Sequence, residues 1–295
     1  MTMEQMEITA RIDTGDLIQG WANKKGLKPG VIVSTRLGAK TDLGLIRENN
    51  EDKFEFFEPE EPELLAAKGL FYAVADGMGG HASGQIASEL ALKMIIRNYY
   101  TDFSEDIEQS LEAAFKAANA YIYDVGQSIP ERSGMGTTCT AAVIREGKLH
   151  IAHVGDSRAY MIRSGKIRQL TQDHSWVAEQ VQRGAMTEEE AMMSPFRNVI
   201  TRSLGVTPDV EVDFYQEELK KGDVILMCSD GLSGYVSDAE ILEIVSEASP
   251  ALAALKLVDR ANGHGGGDNI TVLIVSIKSI DKCGSKRKIS RLFDR

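Results

Sequence analysis

The segment LFYAVADGMGG, residues 70–80, decides the fold. Its first six residues form an apolar run that leads into Asp76 and Gly77, a pattern typical of a buried strand that ends in a sharp turn. From Ala82 onward, apolar residues recur at three- and four-residue steps, which predicts a helix. Several kinds of site are built on a strand, a glycine turn and a helix, so the choice between them depends on the rest of the chain.

Three other aspartates share the context of Asp76, a strand end or start with a glycine nearby. They are Asp156 in HVGDSR, Asp230 in LMCSDGLS and Asp268 in GGGDNITV, and a further carboxylate pair, Glu51 and Asp52, lies in RENNEDKF. One Asp-Gly pair is ordinary turn chemistry. Four aspartates attached to apolar strands favour a shared site, because strands of one sheet end at a common edge. Carboxylates without histidine or cysteine favour hard cations such as magnesium or manganese.

Two rival motifs are weaker. The run from Gly77 to Ala82 resembles a dinucleotide fingerprint, but that fold needs a second parallel strand ~20 residues further on, and residues 96–106 lead into another helix instead. Cys139 and Arg145 have the spacing of cysteine phosphatases. The residues between them alternate like a strand and contain no glycine-rich phosphate loop. Cys139 is therefore predicted to be a small core residue, as is Cys228.

Composition excludes other classes of protein. The chain has 295 residues and a net charge of −11, and an acidic chain is a poor candidate for nucleic-acid binding. Three cysteines, none in a CxxC pair, favour a reducing compartment. No apolar stretch reaches the ~18 to 20 residues of a membrane span, and the N-terminus lacks a signal pattern. We therefore expect a cytoplasmic protein with an N-terminal leader at 1–33 and a basic tail at 279–295.

The remaining pattern predicts α+β layers, because short strands and paired helices come in blocks rather than as a parallel βαβ repeat. Residues 58–70 are expected to be a charged loop, and residues 185–198 an insertion with weak structure. The other predicted elements are strands at 138–145, 148–154, 159–163, 209–215, 223–228 and 270–277, and helices at 106–125, 175–184, 238–247 and 250–262.

Read together, these segments resemble the metal-dependent protein phosphatase family, PPM or type 2C, in its compact bacterial form. The matching stretches follow the family's order and cover most of residues 34–278; they are TDLGLIRENNEDKF, ADGMGGHASGQIAS, GMGTTCTAAVI, HVGDSRAYMIRSGKIRQLTQDHS, NVITRSLG, GDVILMCSDGLSGYVSD and GGGDNITVLIV. The resemblance implies a four-layer α-β-β-α sandwich, in which two stacked antiparallel sheets are flanked by helices. It also implies hydrolysis of phosphoserine and phosphothreonine in proteins.

The resemblance implies a pair of Mn²⁺ or Mg²⁺ ions at the core of the site. Asp76 would bridge the two ions, and the backbone carbonyl of Gly77 would ligate one of them. Asp230 and Asp268 would bind the first ion.

The second ion and a weaker third ion take further carboxylates in this family. Glu51 and Asp52 would serve the second ion, directly or through its waters, and we favour Asp52 as the direct ligand. Asp156 would hold the third ion together with Asp230, as in bacterial relatives.

The reaction implied by the family is an in-line attack on phosphorus by a water that the two metals activate, with no covalent intermediate. Arg47, five residues before Asp52, would hold the phosphate. Animal relatives have a histidine directly after the Asp-Gly pair, where this chain has Met78. His81 is the nearest replacement as a proton donor or substrate contact, and a metal-bound water is the alternative donor.

The expected partners are phosphoproteins, which are substrates of a serine/threonine kinase, and the kinase itself; the phosphatase is expected to be a monomer. Residues 185–203 match the family's flap beside the cleft. The residues Met192, Met193, Phe196 and Arg197 either contact protein substrates there or belong to a plain solvated loop. Three alternatives remain: an inactive relative that binds a partner, a phosphoesterase for small molecules or nucleotides, and a partner-switching phosphatase for anti-sigma antagonists.

Overall fold

The computed structural model describes residues 14–19, 21, 26–79 and 82–283. The strands are β1 (Val31–Asp42), β2 (Asp52–Phe57), β3 (Leu70–Met78), β4 (Gly136–Thr137), β5 (Cys139–Arg145), β6 (Lys148–Val154), β7 (Arg158–Arg163), β8 (Lys166–Gln169), β9 (Asp213–Glu218), β10 (Val224–Cys228) and β11 (Ile270–Lys282). The helices are α1 (Thr14–Gln19), α2 (Pro62–Lys68), α3 (Ser83–Thr101), α4 (Ile107–Ser128), α5 (Trp176–Gln182), α6 (Glu188–Met193), α7 (Asp230–Ser233), α8 (Asp238–Glu247) and α9 (Pro250–Gly263).

The strands form two sheets, and neighbouring strands within them are antiparallel. One sheet has the order β1-β11-β10-β7-β8. The other has the order β2-β3-β5-β6-β9, with the short β4 paired to β3. The predicted pair of antiparallel sheets is therefore confirmed.

Alternation along the strands builds three apolar layers. On β3, Tyr72 and Val74 belong to a cluster that lies between the two sheets. Phe71 and Ala73, which point to the opposite face, pack with α3 and α4. A third cluster packs the outer face of the other sheet, including Leu226, against α8 and α9. This arrangement is the predicted four-layer sandwich.

One edge of the sandwich collects the ends of strands from both sheets. In the register of β2 and β3, Asp52 lies opposite Asp76. In the other sheet, β10 ends immediately before Ser229 and Asp230, and β11 begins immediately after Asp268 and Asn269. The chain crosses between the two sheets at this edge, from the end of β6 to the start of β7. The fold therefore brings the predicted carboxylates to one place.

The prediction of a charged loop over 58–70 is wrong. Helix α2 begins at Pro62, where proline's fixed φ suits a first turn. Leu64, Ala66 and Ala67 are buried on its inner face. Because this face packs on the core, α2 forms despite the acidic residues around it.

Residues 185–198 also contain more structure than predicted. Helix α6 begins after Thr187, whose side chain caps the backbone of Glu190 while the Glu190 carboxylate accepts from the Thr187 N–H. The strand expected at 209–215 begins only at Asp213, as β9. Strand β8, which forms a hairpin with β7, was not predicted.

The leader is partly described. Leu17 of α1 and Trp21 are buried, and the Trp21 indole N–H donates to the backbone oxygen of Tyr100 at 2.6 Å. Val31 pairs with Lys282 in the first sheet, so β1 and β11 extend past both limits of the predicted domain, 34–278. The tail from residue 284 onward lies outside the described residues.

Candidate active site

Five aspartates meet at the edge where the strand ends collect: Asp52, Asp76, Asp156, Asp230 and Asp268, called here the carboxylate cluster. The carboxylate of Asp76 lies close enough to the other four carboxylates to interact electrostatically with each of them. Asp52 is 1% exposed and Asp156 is 6% exposed. Asp52 and Asp156 are thus buried, and Asp76, Asp230 and Asp268 are partly buried beside them.

Burial and mutual repulsion raise the pKa values of four of these aspartates: Asp52, Asp76, Asp156 and Asp230. Burial, reinforced by the charges of Asp230 and Asp268, raises the pKa of Asp52 to about 7 against hydrogen bonds that lower it. Burial and then Asp268 raise the pKa of Asp230 to about 6. The pKa values of Asp76 and Asp156 also lie well above the usual value, again chiefly through burial. Ionising the cluster is therefore unfavourable without added positive charge.

Three oxygen atoms of the cluster are buried and accept no hydrogen bond from the residues that the structure describes. They are Oδ1 of Asp52, Oδ1 of Asp156 and Oδ1 of Asp230. A buried carboxylate oxygen without a donor is costly unless a cation faces it. These oxygens fit divalent metal ions, whose preferred ligands are carboxylates and water.

The side chains of the carboxylate cluster do not have the arrangement of a complete metal-binding site. Among the described residues, no three carboxylate, imidazole or thiol side chains already have the arrangement that encloses an ion. One oxygen of Asp268 accepts a hydrogen bond from the Arg47 guanidinium at 2.8 Å. Binding of cations would therefore involve reorientation of carboxylate side chains rather than a change of fold.

The backbone of Asp76 is held on both sides. Its N–H donates to the Thr138 hydroxyl at 2.9 Å, and its carbonyl accepts from the Thr138 N–H at 2.8 Å. The next residue, Gly77, lies against the start of α3, where an added Cβ would come within 2.0 Å of the Gly84 carbonyl oxygen. Glycine is therefore required at 77 for the helix to approach the end of β3.

Arg47 lies on the loop between β1 and β2. In the sequence this loop leads directly into Glu51 and Asp52, the carboxylates predicted to serve the second ion. Its guanidinium is half-exposed and pairs with Asp268. This hydrogen bond is the main reason that the pKa of Arg47 is raised. A charged, planar donor group thus lies at the open side of the cluster.

Glu51 and His81 were also predicted to belong to the site. The backbone of Glu51 contacts the cluster's strands, since its carbonyl accepts from the Gly77 N–H at 3.2 Å and from the Ser88 hydroxyl at 2.6 Å. His81 lies outside the described residues.

The sequence did not predict Ser229 or Asn269 at the site. The Ser229 hydroxyl donates to Oδ2 of Asp52 at 2.6 Å. The Asn269 side chain accepts from the Glu51 N–H at 2.8 Å. Ser229 directly precedes Asp230 in the sequence, and Asn269 directly follows Asp268. This proximity to the predicted ligands was the sequence signal for their place at the site.

The cysteine-phosphatase interpretation is excluded by the burial of Cys139. Cys139 is fully buried in β5, and burial raises the pKa of its thiol, so no reactive thiolate forms there. The dinucleotide-binding interpretation is excluded by the topology, because α3 is followed by α4 rather than by a parallel strand.

The predicted flap carries exposed apolar side chains. Met192 is 74% exposed, Met193 is 86% exposed and Phe196 is 54% exposed. The Phe196 ring contacts Trp176 of α5 edge-on. The flap is thus attached to the core through α5 and offers apolar surface to solvent.

A two-sheet sandwich that gathers five aspartates at one edge points to the class of enzymes that use divalent cations. Among the described residues, no helix is long and apolar enough to cross a membrane.

Comparisons with known proteins narrow that class. The sequence profile of the family described as Protein phosphatase 2C matches residues 42–180. The serine/threonine phosphatase stp of Listeria innocua is 38% identical over 248 residues, which cover 82% of this chain and 96% of that protein. The crystal structure of the Mycobacterium tuberculosis phosphatase PstP superposes with a TM-score of 0.75 at 37% identity, covering 84% of this chain and 100% of that one.

A further structure similar to this chain contains metal. The catalytic domain of the serine/threonine phosphatase PstP in complex with two manganese ions matches with a TM-score of 0.73 at 36% identity, covering 84% of this chain and 100% of that chain. The chain belongs to the protein phosphatase 2C family. It is thus a metal-dependent serine/threonine phosphatase, dependent on manganese or magnesium, and its substrates are phosphoproteins.

Proposed function

We propose that the carboxylate cluster and Arg47 form the active site at which this phosphatase hydrolyses phosphoserine and phosphothreonine. One observation carries the assignment: buried oxygens of Asp52, Asp156 and Asp230 lack donors among the described residues while their carboxylates repel one another. Bound divalent cations would satisfy both conditions at neutral pH. The chemistry that bound divalent cations supply is a water acidic enough to act as a nucleophile near neutral pH.

The core ligands in this proposal are Asp76, Asp230 and Asp268, with Asp52 toward the second ion and the Gly77 carbonyl as a backbone ligand. The two antiparallel sheets hold these groups at strand ends, so their backbone positions do not depend on metal. The register that sets Asp52 opposite Asp76 supports a role for both side chains in holding the second ion.

Arg47 binds the phosphate group of the substrate in this proposal. Its guanidinium offers two parallel N–H donors, a geometry that matches two phosphate oxygens. The present hydrogen bond to Asp268 places that fork beside the cluster rather than in bulk solvent. The phosphorus atom would therefore be held within reach of the nucleophilic water.

We further propose that Asp156 and Asp230 hold a third, weaker ion. The supporting observations are the two unpaired oxygens, one on each side chain, and the charge interaction between them. With only two carboxylates, such a site would fill at higher metal concentration than the core sites. The proton for the leaving alkoxide would come from His81 or from water beside Asp156.

The phosphoprotein substrates are proposed to be products of a serine/threonine kinase, including the kinase itself. A monomer is proposed because one chain supplies the whole carboxylate cluster. A cytoplasmic location is proposed because all three cysteines are free thiols, which suits a reducing compartment. The net charge of −11 disfavours nucleic-acid substrates.

The test is hydrolysis of a phosphothreonine peptide with and without chelator. Chelation should abolish activity and manganese should restore it, while Cys139→Ser stays active. Parallel assays with nucleotides and small phosphoesters distinguish a protein phosphatase from a small-molecule phosphoesterase. Full activity after exhaustive chelation, or a preference for nucleotides over phosphopeptides, would overturn the proposal.

A further inference from the structure

We propose that Asn269 is a positioning residue that holds the loop of residues 43–51, called here the Arg47 loop, and thereby sets where Arg47 meets the substrate phosphate. The proposal rests on the phosphate-binding role proposed above for Arg47. Asn269 itself stands at the start of β11, directly after Asp268.

The Asn269 side-chain amide makes three hydrogen bonds to the Arg47 loop and uses both of its N–H donors in them. Its Oδ1 accepts from the Glu51 N–H at 2.8 Å. Its Nδ2 donates to the carbonyl oxygens of Leu43 at 2.9 Å and Asn49 at 3.0 Å. The residue is 5% exposed, so these bonds are shielded from water. One buried side chain therefore ties the beginning of the loop to its end.

The middle of the loop depends on such ties because it has little core packing. Leu45 is 68% exposed and Ile46 is 70% exposed, and the Arg47 side chain is half-exposed. The Leu45 N–H also donates to the Gly266 carbonyl at 2.8 Å, which fixes one point of the loop. Polar contacts rather than apolar burial thus determine the path of the backbone that carries Arg47.

The metal side of the site is held by other contacts. Asp52 belongs to β2, is paired with Asp76 in the sheet, and accepts the Ser229 hydroxyl. Loss of Asn269 therefore leaves Asp52 and Asp76 in place, while the Arg47 loop loses three of the hydrogen bonds that hold its two ends. The expected defect is in phosphate binding, not in metal binding.

The chain contains a matched control in Asn119 of α4. Its side chain is 1% exposed and has the same set of three bonds to another loop. Its Oδ1 accepts from the Gly205 N–H at 2.8 Å, and its Nδ2 donates to the carbonyls of Thr207 and Pro208, each at 3.0 Å. Removing this amide should cost comparable stability without changing the position of Arg47.

The experiment measures KM and kcat for a phosphothreonine peptide, together with the manganese concentration for half-maximal activity. The variants are Asn269→Ala, Asn269→Leu and Asn119→Leu, with Asn269→Ala also made in an Arg47→Ala background. Leucine has the same branching and the same number of side-chain heavy atoms as asparagine but makes no hydrogen bonds. Melting curves confirm that each variant is folded, and Asn269→Leu carries the test if Asn269→Ala does not fold.

Both Asn269 variants should raise KM about tenfold, with kcat and the manganese requirement changed by less than about twofold. Asn119→Leu should leave KM unchanged. In the Arg47→Ala background, Asn269→Ala should have almost no further effect, because the group that it positions is gone.

Three results would overturn the proposal. A parental KM in Asn269→Leu would mean that Asn269 only fills space. An equal KM effect with and without Arg47, or a shift in manganese requirement as large as the shift in KM, would mean that Asn269 acts elsewhere. If Arg47→Ala leaves kcat/KM unchanged, Arg47 does not bind the substrate phosphate. This single variant therefore tests the role of Arg47 separately from the role of Asn269.

Discussion

Two aspartates of this sandwich, Asp52 and Asp223, are equally buried at 1% exposure but have opposite surroundings. The Asp223 carboxylate accepts from Arg163 Nε at 2.7 Å, from Arg163 Nη2 at 2.6 Å and from the Lys220 N–H at 2.6 Å. Asp52 accepts from the Ser229 hydroxyl, while its other oxygen has no partner among the described residues.

This difference separates a structural charge from a functional one. The charge of Asp223 is neutralised within the folded chain, so its burial needs nothing further. Asp52 instead faces other carboxylates, and burial raises its pKa to about 7. A repelling, unsatisfied carboxylate in the interior either takes up a proton or binds a cation from outside the chain, and near neutral pH a bound cation keeps it ionised.

The largest expected effect tests the functional side of the comparison. Asp76→Asn keeps the size of the side chain but removes a charge from the centre of the cluster. We expect kcat to fall by about a thousandfold or more at saturating manganese, because metal-assisted activation of water is lost. The measurement is the initial rate on a phosphothreonine peptide.

The fold of this variant should persist, since Thr138 holds the backbone of residue 76. Its metal-free melting temperature should equal or exceed that of the parent, because one repelling charge is gone. A parental rate would show that Asp76 is not part of the metal site.

A smaller effect is expected on the structural side. Asp223→Asn removes the charge partner of Arg163, whose side chain is 30% exposed. Because solvent partly screens this pair, the free energy of unfolding should fall by about 1–3 kcal/mol, with kcat unchanged. Urea unfolding monitored by circular dichroism measures the loss. A large drop in kcat without a drop in stability would instead place Asp223 in the function of the protein.

A further effect is expected in how stability depends on pH. The pKa of Asp52 is raised from 3.8 to about 7, so the folded state binds its proton more tightly than the unfolded state does. The stability from this proton is complete below pH 4 and is lost as the pH rises through 7. In chelator, Asp52→Asn should therefore become progressively more stable than the parent between pH 5 and 8.

Melting curves of both proteins at several pH values in that range measure the difference. Parallel curves would mean that Asp52 is already ionised or already compensated in the folded chain. Asp223→Asn serves as the control with a compensated carboxylate.

The sequence predicted the parts of the site that carry local signals. Asp76, Asp230 and Asp268 each adjoin an apolar strand and a glycine, and the structure places them together. Strand β2 is absent from the predicted elements although DKFEFF alternates polar and apolar residues along much of its length. The cap of α6, Thr187 with Glu190, was likewise readable as a helix start.

The contacts that orient the site residues have no such local signal. Ser229 and Asp52 are 177 residues apart in the chain, and Asn269 and Glu51 are 218 residues apart. Which hydroxyl or amide reaches which carboxylate or N–H depends on the stacking and register of the two sheets. A single sequence contains the residues but not these distances, so positioning residues emerge only from the structure.

The most direct test of the account is manganese-dependent thermal stability of the parent, Asp52→Asn and Asp223→Asn. A ligand at about a hundred times its Kd stabilises a fold by about 2.7 kcal/mol, which shifts the melting temperature by several degrees. Manganese should raise the melting temperature of the parent and of Asp223→Asn by the same amount, and that of Asp52→Asn by much less. Equal stabilisation of all three proteins would contradict the claim that the unsatisfied carboxylate is there to hold a cation.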